Sequence, residues 1–120
     1  MFAQQQRLRT RRDFDTLWKH GRSVYGRSLG LRFAPNGTGV NRFGVIIGLK
    51  VSKRSTKRNT IRRRIREVLR RELSKTEKGY DIAVIVQPGA VGMDFAKISE
   101  DLTVLIHRMK LSVDSNKKMV

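Results

Sequence analysis

Hydrophobic side chains follow a helical period in three segments of the chain. In each segment they recur three or four residues apart, which places them on one helical face. The pattern predicts a short helix over residues 11–20, a longer one over residues 56–73, and a last helix that Asp94 can cap. The apolar positions are Phe14, Leu17 and Trp18 in the first helix, Ile61, Ile65, Val68, Leu69 and Leu73 in the second, and Phe95, Ile98, Leu102, Leu105 and Met109 in the third.

Three other segments show the patterns of β-strands. Residues 24–34 and 42–50 alternate, and each has one bulky apolar face and one face of mostly small residues. Residues 80–86 form a nearly continuous apolar run, which is typical of a strand buried on both faces. We expect the bulky faces to pack against helices and the small-residue faces to be open enough for a flat group. The glycines could instead mark bulges or twist.

The order of these elements is helix, two or three strands, long helix, strand and helix. It predicts an α/β (α+β) two-layer sandwich with a small mixed sheet, in which the long helix links two strands. A chain of 120 residues is long enough for one domain and too short for two. We therefore expect residues 1–120 to form a single domain, with a flexible basic arm over residues 1–9 and a flexible tail over residues 113–120.

The charge balance indicates a polyanionic partner. The chain has 27 Lys and Arg against 10 Asp and Glu, a formal charge of +17 that repels itself in the folded state. The absence of Cys excludes disulfides and thiolate metal sites and is compatible with the cytoplasm. We find neither an apolar run long enough to span a bilayer nor a signal-peptide core, so we expect a cytoplasmic protein without a membrane partner.

The polyanion could be a nucleic acid or an anionic membrane surface. A helix lying on a membrane would carry large apolar and aromatic side chains opposite its basic face. Residues 50–71 are the most basic stretch, with 11 of the 27 basic residues, yet they contain no aromatic side chain. This composition favours a nucleic acid.

One face of the predicted long helix concentrates the basic charge. Like charges one turn apart destabilise a helix slightly, and a merely solvated face would mix both signs. Arginine is suited to this role because its planar guanidinium binds phosphate with two hydrogen bonds. We therefore predict that this face binds RNA. The residues of this basic stripe, about 100° wide, are Asn59, Arg62, Arg63, Arg66 and Arg70.

The basic segment also contains a recognisable motif. It consists of Lys50, the pair Lys53-Arg54 and the run Arg58-Asn59-x-x-Arg62-Arg63-x-x-Arg66-Glu67. Further matching motifs, in the same order, are Arg7-Leu8-Arg9, Asp13-Phe14 with Trp18, His20-Gly21-Arg22-Ser23-Val24, Arg42-Phe43-Gly44, Gly79-Tyr80-Asp81-Ile82 and Pro88-Gly89. Together they resemble the bacterial ribonuclease P protein component. Three positions depart from the family pattern: Thr60 replaces a basic residue, Arg32 stands where a strand aromatic is common, and Trp18 stands where the family usually has Phe.

This resemblance implies a function and a set of site residues. The protein would be an accessory subunit, with one copy bound to each catalytic RNA. The RNA would remove the 5′ leader of precursor tRNA, with Mg²⁺ ions held mainly by the RNA itself. The family's strand–helix–strand crossover is left-handed, against the general rule. The implied binding residues for the catalytic RNA are Lys50, Lys53, Arg54, Arg58, Asn59, Arg62, Arg63 and Arg66. To these we add Lys57 and Arg70, which belong to the same basic segment.

The resemblance also implies a cleft for the leader, between the first helix and the open face of the sheet. Its residues would be Phe14 and Trp18, with Arg7, Arg9 and Arg32. Single-stranded RNA is held by basic grooves with exposed rings on which bases stack. From the sequence alone, the two rings could equally belong to the core.

We predict no catalytic or metal-binding residues in this chain. A protein ribonuclease needs a general base and acid, or carboxylates that hold metal. The only histidines, His20 and His107, stand apart, and the acidic residues are scattered. Two alternatives remain open at this point: a structural RNA-binding protein such as a ribosomal protein, and a self-sufficient nuclease.

Overall fold

A mixed β-sheet with helices on both faces forms the described part of the chain. The computed structural model describes residues 11–37, 40–47, 54–73, 79–90 and 93–118. Within these residues the elements are α1 (Arg11–His20), β1 (Arg22–Tyr25), β2 (Leu29–Pro35), β3 (Arg42–Ile47), α2 (Ser55–Leu73), β4 (Tyr80–Val86), a 3₁₀ turn (Pro88–Ala90) and α3 (Phe95–Lys118). The predicted arm over residues 1–9 lies outside the described residues.

The strands lie in the order β1-β2-β4-β3. β2 is antiparallel to both β1 and β4, whereas β3 is parallel to β4. Parallel neighbours need a crossover connection, and α2 provides it. The mixed sheet and the strand–helix–strand unit are therefore confirmed, while the left-handed crossover stays a prediction.

Two boundaries differ from those predicted. The alternating segment 24–34 forms two strands rather than one, because the chain turns at residues 26–28 and the Gly26 amide donates to the Leu29 carbonyl at 2.8 Å. Val24 is the direct partner of Leu31 and packs against the same core, so the core-facing positions change from even to odd numbers across the turn. In addition, α3 continues to Lys118 and so includes most of the segment expected to be a tail.

The main core lies between one face of the sheet and the pair α2 and α3. The bulky positions of β2, β3 and β4 meet the apolar stripes of both helices there, as the spacing predicts. The Asp94 side chain accepts a hydrogen bond from the Lys97 amide at 2.8 Å and so caps α3. The central side chains of this core are Leu31, Val84, Ile65, Leu69 and Leu102.

The other face of the sheet carries α1. Leu17 is buried against the small side chains of Ala34 and Ala83, with Phe14 and Ile46 at the edge of this second cluster. α1 ends at Gly21, whose amide donates to the Leu17 carbonyl at 2.8 Å. A Cβ atom at Gly21 would collide with that same carbonyl oxygen, so glycine is required where the helix meets the sheet.

Two leucines of α3 allow the stabilising effect of the core to be measured. Leu102 is fully buried, whereas Leu111 is 54% exposed. We expect Leu102→Ala to lower the free energy of unfolding by about 2–5 kcal/mol, because apolar burial is reduced and a cavity is left behind. Leu111→Ala, the matched control on the same helix, should change it by no more than about 0.5 kcal/mol in the same denaturant titration. Equal losses of stability would mean that α3 does not pack as described.

Candidate RNA interface

Trp18 is the exposed aromatic side chain of α1. Its neighbour Leu17 is 1% exposed and anchors the helix, while Trp18 is 44% exposed. The ring of the half-buried Phe14 lies beside it, with ring centroids 6.3 Å apart and planes inclined by 59°. The helical spacing alone placed all three on one apolar face. The structure instead uses Leu17 for the core and leaves Trp18 available for stacking.

Arg32 of β2 fixes the end of α1. Its guanidinium donates to the Leu17 carbonyl at 3.1 Å, to the Ser23 hydroxyl at 2.8 Å and to the Trp18 carbonyl. The last carbonyls of a helix have no partner within the helix and carry partial negative charge, so a cation stabilises them. Arg32 therefore positions Trp18. The contact of Arg32 itself with the leader stays a prediction.

A partly buried ion-pair network, centred on the buried Asp81, holds the other end of α1. Arg42 of β3 donates two hydrogen bonds of 2.7 Å to Asp81 of β4, and its third nitrogen lies 3.5 Å from Asp13 of α1. Asn36 donates a further hydrogen bond to Asp81 at 2.9 Å. The hydrogen bond to Asp81 raises the pKa of Arg42 above its usual value and outweighs the opposing effect of burial, so the guanidinium stays charged.

The sequence reasoning did not assign this network. Arg42 and Asp81 are directly opposite each other in the parallel pairing of β3 and β4. That register brings together residues far apart in sequence, so the only available signal was that both belong to motifs of the resemblance. Their contacts give both residues a structural role next to the proposed cleft.

The basic stripe lies on the solvent side of α2. Asn59, Arg63 and Arg70 are exposed, and Arg62 and Arg66 are half-buried. Arg62 donates to the Asn59 side-chain oxygen at 3.0 Å, which links two members of the stripe. Within the described residues, neither Arg62, Arg63 nor Arg70 forms an ion pair with a carboxylate. This surface therefore keeps a positive charge that the protein does not neutralise at these three positions.

Two other arginines of α2 face α3 instead. The Arg64 guanidinium lies 5.1 Å from the ring centroid of Phe95, at a cation–π distance. Arg71 donates to the Ser99 hydroxyl at 3.5 Å and lies 3.4 Å from a Glu72 carboxylate oxygen. The basic residues of α2 thus divide into a stripe toward solvent and a pair that attaches the helix to its neighbour.

The remaining predicted site residues have different positions. Arg54 and Lys57 are exposed and Arg58 is half-buried at the start of α2. The Thr60 hydroxyl donates to the Thr56 carbonyl at 3.0 Å, so the residue that replaces the family's basic side chain bonds back to its own helix. The other predicted residues, Arg7, Arg9, Lys50 and Lys53, lie outside the described residues.

The two candidate surfaces lie on opposite sides of the sheet. Leu17 of α1 packs on one face, while Ile65 and Leu69 of α2 pack on the other. The basic stripe and the Trp18 surface therefore do not form one continuous groove. This arrangement allows two separate segments of RNA to be held at the same time.

Comparison with known proteins gives the family. The profile of the family described as Ribonuclease P matches residues 2–110. A relative from a Cyanothece species, named Ribonuclease P protein component, is 31% identical over 127 residues, which cover 92% of this chain and 97% of the relative. One of the same name from Thermotoga petrophila is 34% identical over 113 residues, covering 91% and 96%.

Solved structures agree with the sequence relatives. The RNase P protein from Thermotoga maritima matches with a TM-score of 0.77 at 34% identity, covering 85% of this chain and 96% of that one. The RNase P protein of Staphylococcus aureus gives a TM-score of 0.82 at 27% identity, covering 88% and 95%. The chain belongs to the ribonuclease P protein family. It is an accessory subunit of ribonuclease P, the endoribonuclease that matures the 5′ end of tRNA.

None of the helices in the described part of the chain is both long enough and apolar enough to cross a membrane.

Arg42 offers a direct test of the network that holds α1. Arg42→Ala leaves the buried Asp81 carboxylate without its guanidinium partner, and we expect the free energy of unfolding to fall by about 2–3 kcal/mol. Arg12→Ala removes the same charge from an exposed position on α1 and serves as the control, with a change of no more than about 0.5 kcal/mol. If thermal and denaturant unfolding show the same destabilisation for both variants, the network does not stabilise the fold.

Proposed function

We propose that the protein binds RNA on two surfaces. The basic stripe of α2 docks on the catalytic RNA of ribonuclease P, and the α1 side of the sheet receives the single-stranded 5′ leader of precursor tRNA. The observation that carries the proposal is the exposure of Trp18 next to the fully buried Leu17. Because Leu17 already anchors α1 in the core, the Trp18 ring is not needed there and is available to a binding partner.

The charge of the stripe supports its part of the proposal. Arg62, Arg63 and Arg70 have no carboxylate partner among the described residues, and their mutual repulsion falls when phosphates bind. The stripe runs along one exposed face of a helix, so it suits the backbone of a folded RNA rather than a small ligand. Phosphate contacts of this kind position a protein on RNA.

The α1 side of the sheet suits a single strand instead. Unpaired bases can stack on exposed aromatic rings, which duplex RNA does not allow. Trp18 provides such a ring, and Phe14 supports it from one turn away. Arg32 and the Arg42–Asp81 pair hold α1 at its two ends, so the ring is positioned before RNA arrives.

In this proposal the catalytic RNA cleaves the leader, with Mg²⁺ ions that are held mainly by the RNA. Asp13 and Asp81 are engaged with Arg42, and Asp101 is engaged with Ser28 and Lys97. Within the described residues, no group of three or more His, Asp or Glu side chains is placed to hold a metal ion. The protein then contributes affinity and positioning, as one copy per catalytic RNA, in the cytoplasm where tRNA is processed.

The basic stripe can be tested against a matched pair of arginines on the same helix. We expect Arg62→Ala with Arg66→Ala to weaken binding to the catalytic RNA and to flatten the slope of log K against log salt by about 0.7–0.9 for each phosphate that the variant no longer binds. The control, Arg64→Ala with Arg71→Ala, removes the same charge from the side facing α3 and should leave the slope nearly unchanged. Equal flattening by both pairs would show that net charge matters rather than the stripe. Circular dichroism confirms that each variant is folded.

Trp18 tests the leader surface. A stacked base contributes about 1–3 kcal/mol, so Trp18→Ala should weaken binding of precursor tRNA to the holoenzyme by about 5- to 150-fold. Mature tRNA has no leader, and its binding should not change. Trp18→Phe keeps a ring and should retain most of the affinity, while Val104→Ala truncates another exposed side chain, on α3, as a control. Equal effects of Trp18→Ala on precursor and mature tRNA would contradict the leader assignment.

A further inference from the structure

Tyr25 is a second exposed ring, and it lies outside the residues assigned above to either RNA surface. It is 55% exposed at the end of the edge strand β1. Its ring lies over Gly30, its direct partner on β2: a Cβ atom at Gly30 would be 2.8 Å from Cδ1 and 3.1 Å from Cε1 of the tyrosine. The absence of a side chain at Gly30 is therefore what lets the ring lie against the sheet.

The pairing of β1 with β2 places Tyr25 on the same side of the sheet as Trp18. Ser23 is opposite Arg32, and Arg32 donates both to Ser23 and to the last carbonyls of α1. Side chains two residues apart in a strand share a face, so Tyr25 follows Ser23 on that face at about 6.7 Å along the strand. The Trp18 end of α1, Arg32 and Tyr25 thus follow one another across the surface.

The surroundings of Tyr25 are basic. Arg108 of α3 donates to the Tyr25 carbonyl at 2.9 Å, and the exposed Arg27 lies two residues further along the chain. The nearby Asp101 accepts a hydrogen bond from Ser28 at 2.7 Å and pairs with Lys97 at 3.4 Å, so its charge is compensated. An exposed ring with positive charge close to it is the combination that binds single-stranded RNA.

We propose that Tyr25 is a second stacking platform for the 5′ leader, in contact with a different nucleotide from the one that stacks on Trp18. The inference rests on the proposed function, because it extends the same surface. Covering a glycine by an aromatic across a strand pair also stabilises a sheet. That role requires only one side of the ring, however, and leaves the exposed side free to receive a base.

The first experiment measures affinity in the holoenzyme assembled from the protein and its catalytic RNA. Binding of precursor tRNA with a long leader is compared with binding of mature tRNA. Tyr25→Ala should weaken the former by about 5- to 30-fold, the lower part of the range for a stacked base because the ring is half exposed. It should leave mature tRNA unchanged, and Tyr25→Phe, which keeps the ring, should bind both like the unchanged protein.

A matched control and a leucine variant separate stacking from sheet stability. Val104→Ala truncates a side chain of similar exposure on α3 and should have no effect. Tyr25→Leu still covers Gly30 but offers no ring, so it should bind precursor tRNA as weakly as Tyr25→Ala does, at an unchanged melting temperature. Full affinity in Tyr25→Leu would overturn the proposal.

A fluorescence experiment reports on the site directly. Trp18 is the only tryptophan, so Trp18→Phe combined with Tyr25→Trp moves the single reporter to position 25. Addition of long-leader precursor tRNA to this holoenzyme should quench its emission, whereas mature tRNA should not. Equal emission in both cases would refute stacking at this position.

The outcomes distinguish the two proposals. If Trp18→Ala weakens binding of precursor tRNA and Tyr25→Ala does not, the leader surface stands and the second platform is wrong. If neither variant changes the difference between precursor and mature tRNA, the leader surface itself is wrong.

Discussion

The bidentate pair between Arg42 and Asp81 is the contact on which the α1 side of the molecule depends. It links the neighbouring parallel strands β3 and β4 and, through Asp13, reaches α1. A buried carboxylate is tolerated only with such a partner. The chain has only 10 acidic residues against 27 basic ones, and several of these few carboxylates mark places where elements of the fold are joined. Asp81, Asp94 and Asp101 each secure a junction between elements or the start of a helix.

The basic residues divide according to the same logic. Arg32 and Arg42 act inside the fold, where carbonyl or carboxylate oxygens receive them, and Arg64 and Arg71 attach α2 to α3. What remains on α2 is a face of like charge, which folding alone does not stabilise. A catalytic RNA supplies the missing negative charge, so in the proposed complex the protein and the RNA each reduce the other's electrostatic repulsion.

Much of the fold could be predicted because its elements have strong periodic signals. The helices α1 and α2 and the buried strand β4 begin and end within a residue of the predicted positions. The turn between β1 and β2 was missed, because Val24 is the only apolar core position predicted before it and one residue does not reveal that the alternation changes phase. At the site, the basic stripe was predictable from a single helix, whereas the roles of Arg32 and Asp81 arise from tertiary contacts. Exposure of Trp18 depended on which neighbour filled the core, and spacing cannot decide that.

The placement of α1 and α2 on opposite faces of one sheet has a consequence for the geometry of the assembly. A helix packs on a sheet through one layer of interlocking side chains, and the size of those side chains fixes its distance from the sheet. An RNA docked on α2 and a strand lying beside α1 would therefore be separated by a fixed thickness of protein, since the strands between them are tightly hydrogen-bonded. In the proposed complex the thickness of the sheet and its helices therefore sets the distance between the leader and the catalytic RNA to which the protein is bound.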